Sequence, residues 1–360
     1  MGSASFLTRV RRLLRIRNQL IRECLAELLC TFVLITITLG GAAQRVTSEE
    51  TKGDILTSYL AGALAVMVGI YIGGGISGAH MNPAFTLAMC LTKQFPWWKF
   101  PVFVLVEALA SFLSAGAVYV LYYGMGGQHR AGEPHGGARL ARLTDRLCLC
   151  PTDAIWHYSN GTLTVSGPRE TASIFATYPA DYVSVANGFV DQVIGTGVLL
   201  TGVMGVMDNR NKGVPKGLEP VVIAMLVLSI EVAMGANCGC PLNPTRDIGP
   251  RLFTYLAGWG PEVFSRGNGW WWVPLVAPLL GSAVGTYLYQ LFVAFHYPEE
   301  DGDALEEQGS IVLENKNIDL DAGVSSKEDT GGTVPTGYPP PPHSSSTVPT
   351  TIPLTLLNES

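Results

Sequence analysis

Charged residues are scarce in this chain. Only 14% of its 360 residues are Asp, Glu, Lys or Arg, whereas a soluble domain carries about 25%. Hydrophobic residues make up 48% of the chain, and its mean hydropathy is +0.27. So low a charge content beside so many apolar side chains argues against an ordinary soluble domain and indicates a membrane protein.

The chain also lacks the residue patterns of metal, disulfide and cofactor chemistry. Its seven cysteines show neither paired CxxC motifs nor Cys/His ligand spacing, so we expect no metal centre and no disulfide framework. The sequence offers no nucleophile–base arrangement, and Gly73-Gly74-Gly75 is typical of a helix end rather than a phosphate-binding loop. We therefore expect no cofactor and no enzymatic activity.

Charge is unevenly distributed along the chain. Residues 299–360 carry a net charge of −10, so the rest of this chain of net charge −6 carries +4. Arginine is concentrated just before and at the start of the first apolar segment, at Arg9, Arg11, Arg12, Arg15, Arg17 and Arg22. This excess predicts a cytoplasmic N-terminus. Without a folded basic domain behind it, it does not indicate a nucleic-acid partner.

Six apolar segments are each close to the length of about 20 residues that a membrane-spanning helix requires. They are 24–43, 55–73, 101–123, 187–207, 217–236 and 272–295. The segments predict an all-α membrane protein with six transmembrane helices. Because six spans return the chain to its starting side, we expect a multi-pass plasma-membrane protein with both termini cytoplasmic.

Two further apolar runs are too short to cross a bilayer. Each begins at an Asn-Pro pair, in Asn82-Pro83-Ala84 and Asn243-Pro244-Thr245. Asn caps a helix start, and Pro suits the first helical position because it lacks an N–H. Each run therefore predicts a re-entrant half-helix. Two half-helices of about 15 Å meeting at their starts would match a hydrocarbon core of about 30 Å.

The chain also repeats itself. Glu27 and Gln192, each followed four residues later by Thr, are 165 residues apart, and Asn82 and Asn243 are 161 apart. Nearly equal offsets indicate a duplicated unit, and three spans per unit require the second copy to be inverted. We expect Glu27 and Gln192 to bond the exposed backbone of the re-entrant loops.

The two asparagines carry the functional prediction. Paired half-helix starts place positive helix-dipole ends and unpaired N–H groups at the membrane midplane. Asn82 and Asn243 can hold their side-chain oxygens on that backbone and point NH₂ donors at a solute. Such donors suit the oxygen of water or an alcohol, oppose cations and prevent proton relay. The pattern predicts a pore that conducts small neutral solutes.

These loops resemble those of a known family. The run Ser77 to Ala84 and the run Asn243 to Arg251 are similar to the two signature loops of the aquaporin (major intrinsic protein) family. The resemblance covers about residues 20–125 and 158–297. It implies a passive channel for water, glycerol and urea that excludes ions and protons, and a homotetramer with one pore per subunit.

Within that family, the chain resembles the aquaglyceroporin branch. Asp247, Arg251 and the pair Pro274-Leu275 stand where water-only channels have other residues. The stretches 170–180 and 268–274 resemble one subtype of the branch.

Arg246 is, by this resemblance, the arginine of the selectivity filter, which donates to solute hydroxyls and opposes cations. A charged residue at membrane depth is costly unless it faces a cavity or a partner. A structural ion pair of Arg246 with Asp247 or another acid is the alternative. We expect Asp247 to fix the loop rather than to contact solute.

Ungapped counting along the loops places Gly62 and Cys240 at two further filter positions. Glycine in place of a bulky ring would widen the constriction and favour polyols and urea. Cys240 would add a small, weakly polar wall. A role in helix contact is the alternative for Gly62.

Glu231 departs from the family pattern, in which a small residue precedes Asn243 by twelve positions. A buried carboxylate is costly unless paired. We expect Glu231 to reach Arg246, which would narrow the filter and partly cancel its charge. The alternatives are that Glu231 points into a helix interface or that it is a sequence error.

His80 is a candidate pH gate. It lies two residues before Asn82, and imidazole titrates close to neutral pH. A satisfied structural histidine is the alternative.

The predicted organisation has three parts. Residues 1–19 form a basic cytoplasmic N-terminus, 20–297 the channel domain and 298–360 a disordered acidic cytoplasmic tail. The channel domain comprises a first repeat (20–125), a disordered extracellular insertion (126–157) and a second repeat (158–297). Asn160-Gly161-Thr162 is a glycosylation sequon on the predicted extracellular side.

A secondary transporter of a small polar solute is the competing function, because transporters also use inverted repeats and broken helices.

Overall fold

The computed structural model describes residues 2–123, 154–215 and 217–298. The α-helices in these ranges are numbered in chain order. They are α1 (Gly2–Leu14), α2 (Gln19–Thr47), α3 (Ile55–Gly73), α4 (Pro83–Leu91), α5 (Phe100–Tyr123), α6 (Ala154–Tyr158), α7 (Val185–Met207), α8 (Glu219–Cys238), α9 (Pro244–Thr254), α10 (Glu262–Gly269) and α11 (Val273–Phe292). Single turns of 3₁₀ helix and one π-helical segment, Tyr255–Trp259, join some of them. The described residues contain no strand, so the all-α prediction is confirmed.

Six helical segments have the length and apolar composition needed to cross a membrane. They are Gln19–Thr47, Ile55–Gly73, Trp97–Tyr123, Val185–Met207, Glu219–Cys238 and Glu262–His296. All six overlap the predicted spans. Leucines on their outer faces, such as Leu25, Leu105 and Leu109, are exposed, as suits contact with lipid chains.

The two half-helices, α4 and α9, link the repeats. Each starts at its predicted asparagine cap with proline at the first position. Helix α9 packs against α5, the third span of the first repeat, and α4 packs against α11, the third span of the second. The Ser282 hydroxyl on α11 donates to the backbone oxygen of Ala84 at 2.5 Å. Each half-helix is therefore held by the opposite repeat.

Small residues allow the spans to approach closely. A Cβ on Gly281 would lie 2.5 Å from the backbone oxygen of Val193 on α7. A Cβ on Gly285 would overlap the backbone of Gly197. Helices α7 and α11 therefore pack backbone against backbone, which a larger side chain at either position would prevent.

Two features add to or depart from the sequence predictions. Residues 1–19 contain helix α1, an element about which the sequence analysis made no prediction. The disordered insertion was predicted to extend to residue 157, but residues 154–157 belong to helix α6, where Ile155 is buried. The rest of that segment, from 126 to 153, lies outside the described residues, as does the predicted tail from residue 299.

Candidate functional site

Asn82 and Asn243 cap the two half-helices in the same way. The backbone N–H of Ala84 donates to Oδ1 of Asn82 at 2.8 Å. The backbone N–H groups of Thr245 and Arg246 donate to Oδ1 of Asn243 at 3.1 and 3.4 Å. Both asparagines have extended backbones, as helix caps require. Each side-chain oxygen is thus committed to its own helix start.

The side-chain amide nitrogen of each asparagine bonds the backbone of the other repeat. Nδ2 of Asn82 donates to the backbone oxygen of Leu242 at 3.1 Å, and Nδ2 of Asn243 donates to that of Met81 at 2.7 Å. The two loops are thereby tied to each other over sequence separations of 160 and 162 residues. An NH₂ group has two hydrogens, so one on each asparagine is left after this bond.

Two buried residues from the repeats support the loops from behind. Oε1 and Oε2 of Glu27 accept the backbone N–H groups of His80 and Met81, each at 2.8 Å. In the second repeat, Oε1 of Gln192 accepts the N–H of Leu242 at 3.3 Å. Gln192 in turn donates to Asp191 at 2.8 Å. Glu27 therefore accepts two short bonds from the first loop, whereas Gln192 accepts one longer bond from the second.

A single cavity of about 390 Å³ lies beside the meeting point of the half-helices. Both asparagines line it. The same cavity is lined by all four predicted filter residues and by the candidate gate, namely Gly62, Glu231, Cys240, Arg246 and His80. Most of its remaining lining is apolar, from side chains such as Leu34, Val66 and Leu200. The structure thus brings together the polar residues that the sequence singled out.

Arg246 reaches a backbone oxygen rather than a carboxylate. Its Nη1 donates to the carbonyl of Phe175 at 2.8 Å, in the loop before α7. The side chain is only partly buried, and it lines the cavity. The alternative ion pair with Asp247 is not formed: among the described ion pairs, Asp247 is paired with Arg251 at 2.7 Å.

Asp247 and Arg251 form a buried anchor beneath the loop. Both side chains are fully buried. Asp247 also accepts the backbone N–H and the hydroxyl of Thr177 at 2.8 and 2.5 Å. Arg251 donates to the carbonyl oxygens of Thr177 and Val263, both at 2.6 Å. The pair joins α9 to the loop before α7 and to α10.

Glu231 fills the space that Gly62 leaves open. A Cβ on Gly62 would lie 3.3 Å from Oε1 of Glu231, and both residues line the cavity. The expected direct contact with Arg246 is wrong, since no ion pair among the described residues joins the two. Oε2 of Glu231 is buried without a hydrogen-bond partner. The carboxylate is therefore packed between α8 and α3 with unused acceptor capacity.

Cys240 and His80 are the two remaining predicted residues of this lining. The Cys240 thiol is buried and donates weakly to the Ile230 carbonyl at 3.9 Å. The His80 ring is also buried, with Nδ1 lying 3.1 Å from Oγ1 of Thr86. Its ring centre lies between 4.7 and 5.1 Å from those of three phenylalanines, Phe85, Phe95 and Phe103.

The predicted sequon is accessible. Asn160 is exposed, and its Oδ1 accepts a hydrogen bond from Arg169 at 2.7 Å.

Sequence reasoning missed several partners of these residues. The carbonyls of Met81, Leu242 and Phe175 carry no side-chain signal, because any residue supplies a carbonyl. Asp191, which holds both Gln192 and Asn237 at 2.8 Å, could have been recognised as an acid within an apolar span beside a predicted support residue.

Comparison with known proteins bears directly on this arrangement. The family model described as major intrinsic protein matches residues 15–289. Aquaporin-10 from Homo sapiens is 54% identical, over 87% of this chain and 94% of its own length. Aquaporin-9 from Homo sapiens is 40% identical over 81% and 90%, respectively. Aquaporin-7 from Rattus norvegicus is 42% identical over 75% and 89%.

A solved structure has the same fold. The X-ray structure of the aquaglyceroporin from Plasmodium falciparum superposes with a TM-score of 0.59 at 27% identity. The match covers 75% of this chain and 95% of that protein. The subtype indicated by residues 170–180 and 268–274 is the aquaporin ten type, and the similarity to Aquaporin-10 confirms that prediction. With its paired asparagine-capped half-helices, this chain belongs to the major intrinsic protein family, in the aquaglyceroporin branch of the aquaporins.

Proposed function

We propose that the protein is a passive transmembrane channel for water, glycerol, urea and similar small neutral solutes. The observation that carries the proposal is the cavity beside two half-helix starts whose asparagines, Asn82 and Asn243, are bonded across the repeats. The members of this family are channels rather than enzymes, and the aquaglyceroporin relatives support water and glycerol as permeants.

Exclusion of ions follows from the positive potential of the cavity beside the two half-helix starts. Two helix N-termini bring roughly half a positive charge each to the cavity, and the Arg246 guanidinium adds a full charge. A cation entering there would lose water and meet positive potential. A water molecule that accepts hydrogen bonds from the remaining Asn82 and Asn243 hydrogens is oriented against proton relay. Neutral solutes that offer oxygen acceptors pass at lower cost.

The filter is proposed to consist of Gly62, Glu231, Cys240 and Arg246. Arg246 provides donors and Glu231 an acceptor that no protein group uses, so the two together complement a hydroxyl or an amide, each of which both donates and accepts. Such a pair suits glycerol and urea. Because Glu231 occupies the room that Gly62 leaves, we propose that it also limits the size of the permeant.

Loop support is assigned to Glu27, Gln192 and Asp247, all of which are buried and bonded to loop backbone. His80, which also lines the cavity, is retained as a candidate pH gate. Several titratable groups surround it. Glu27 accepts the backbone N–H of His80, and Thr86 bonds both the His80 ring and the Glu107 carboxyl group. The Glu23–Lys99 ion pair is a further charged neighbour. Any pH response of His80 would depend on these groups as well.

We further propose a multi-pass plasma-membrane protein with both termini in the cytoplasm, glycosylated at Asn160 and assembled as a homotetramer. The arginine excess before α2 supports the orientation, and the exposure of Asn160 supports modification.

A permeant panel tests the proposal. Vesicles containing the purified protein are mixed with impermeant osmolyte, glycerol or urea in a stopped-flow instrument, and conductance to Na⁺ and protons is recorded separately. The proposal predicts water, glycerol and urea fluxes above those of protein-free vesicles, with no added ion conductance. Glycerol and urea fluxes at the protein-free level, or ion conductance above it, would overturn it.

A further inference from the structure

Five arginines surround one basin at the N-terminal end of the molecule. Arg11, Arg12, Arg15, Arg17 and Arg22 line a cavity of about 560 Å³, together with Thr8 and Ile16. All five side chains are exposed. Among the described residues, no carboxylate pairs with any of them, although Arg210, Arg251 and Arg266 elsewhere each have an acidic partner.

An unneutralised cluster of this kind favours a bound polyanion. Like charges gathered around one basin repel each other, and an anion placed among them removes that repulsion. The guanidinium group presents a planar fork of donors that matches two oxygens of a phosphate. A basin lined by arginines alone among the charged residues therefore suits a ligand that carries more than one phosphate.

The helix that contributes to the basin has a second, apolar face. Phe6, Leu13 and Leu14 of α1 are exposed by 67%, 79% and 73%. Their spacing of seven and eight residues places them on one side of a helix. An amphipathic helix with arginine on its polar side is typical of a helix that lies in the membrane–water interface.

The position of Arg22 sets the depth of the basin. Arg22 lies in the first turn of α2, the first membrane-spanning helix. The basin thus lies where the chain enters the bilayer, at the level of lipid headgroups. Clusters of four to eight basic residues directly beside a transmembrane helix are attracted to anionic lipids of the cytoplasmic leaflet.

We propose that the basin binds the phosphorylated headgroup of a phosphoinositide in the leaflet that α1 lies on. The apolar face of α1 inserts beside the lipid chains while the five arginines that line the basin hold the headgroup phosphates. The site is separate from the solute cavity, and it does not depend on which solutes the channel conducts.

The test is a binding titration with the full-length protein in detergent micelles. Fluorescent dioctanoyl phosphatidylinositol bisphosphate is the probe, and its anisotropy is the readout. The binding variant is R11Q/R12Q/R15Q. The matched control, K93Q/R210Q/K212Q, neutralises three basic residues in the connections between the second and third spans and between the fourth and fifth. Because consecutive spans cross the membrane in opposite directions, these connections lie on the same side as the N-terminus. We expect the binding variant to raise the Kd at least tenfold and the control to change it less than twofold.

Two competitors and one further variant identify the source of the phosphate. Unlabelled dioctanoyl phosphatidylinositol bisphosphate is expected to displace the probe, and free inositol trisphosphate to do so at least tenfold less well. F6S/L13S, which removes the apolar face, is expected to weaken lipid binding without weakening inositol trisphosphate binding. The thermal unfolding temperature of the R11Q/R12Q/R15Q protein, measured in detergent and compared with that of the wild type, verifies that it is folded.

Three results would overturn the inference. One is an equal Kd for wild type and R11Q/R12Q/R15Q. Another is an equal loss of binding in the K93Q/R210Q/K212Q control, which would indicate unspecific charge attraction. The third is competition by free inositol trisphosphate that matches the lipid, which would indicate a soluble polyphosphate site. None of these depends on whether the protein conducts glycerol.

Discussion

Asn82 and Asn243 each use the two ends of one amide group for different purposes. The oxygen caps the helix that follows, and the nitrogen bonds the loop of the other repeat. Aspartate would cap as well as asparagine, but it has no hydrogen to donate across the repeats. The demand for both a donor and an acceptor explains why the residue type is asparagine in both loops.

Replacing Glu231 tests the filter at the residue scale. The Glu231→Gly change removes the carboxylate that lies against Gly62, so it widens the constriction and removes a buried, unpartnered oxygen. We expect glycerol permeability to rise about two- to tenfold relative to water permeability, measured by stopped-flow light scattering. Val232→Ala, at an exposed neighbouring position, should leave the ratio unchanged. An unchanged permeability ratio in both variants would show that Glu231 is not part of the filter.

Substitution with methionine should distinguish the structural role of Arg251 from the filter role of Arg246. Arg251→Met leaves the fully buried Asp247 without its cation, a loss of about 3–5 kcal/mol for a buried pair. We expect a strong fall in the thermal unfolding temperature of the solubilised protein.

Arg246→Met is the matched comparison for that experiment. It removes one bond to a carbonyl from a partly exposed side chain, so the unfolding temperature should fall much less while solute selectivity changes. Equal destabilisation by both substitutions would contradict the separation of anchor and filter.

At the scale of elements, the two half-helices are related by the repeat but are not supported equally. Helix α4 follows a loop whose two N–H groups are accepted by one carboxylate, Glu27. Helix α9 follows a loop that Gln192 holds by one longer bond, and α9 itself is fixed by its Asp247–Arg251 pair, which bonds the backbone of Thr177 and Val263. The second half-helix thus has a buried anchor within the helix, whereas the first has its stronger support in the preceding loop.

This asymmetry predicts unequal costs of truncation. Glu27→Ala leaves two buried N–H groups without an acceptor, at about 1–3 kcal/mol each, whereas Gln192→Ala leaves one. We expect Glu27→Ala to lower the unfolding temperature more, as measured by fluorescence-detected thermal unfolding in detergent. A larger effect of Gln192→Ala would mean that the symmetric positions do not act as these contacts indicate.

The sequence predicted the elements better than their connections. Hydropathy located all six spans, and the caps located α4 and α9, because both signals are local. The amide bonds from Asn82 to Leu242 and from Asn243 to Met81 join residues far apart in sequence and end on backbone oxygens, which leave no trace in residue type. Helix α1 was missed because its 13 residues are amphipathic and too short to resemble a span.

For the molecule as a whole, the inverted repeat explains how one cavity is built from both halves. Each half-helix packs on the third span of the opposite repeat, and the asparagines join the two starts. Because consecutive spans cross the membrane in opposite directions, the side of one loop fixes the orientation of all six. The exposed sequon at Asn160 supplies such a marker.

Glycan mapping in mammalian cells therefore tests the topology. Asn160→Gln should abolish the mass shift produced by removing N-linked glycans, because the loop before α7 is proposed to be extracellular. Asn358→Gln, in the other Asn-x-Ser/Thr sequence, is the control and should retain the shift. A glycan at Asn358 with none at Asn160 would reverse the proposed orientation.

The central claim is that solute passes beside Asn82 and Asn243 by diffusion through a channel. Its most direct test is the initial rate of glycerol influx into vesicles containing the protein, measured over a wide range of glycerol gradients with and without opposed Na⁺ and proton gradients. The account predicts a rate that rises linearly with the glycerol gradient and is indifferent to the ions. A rate that saturates and follows an ion gradient would contradict it and indicate a secondary transporter.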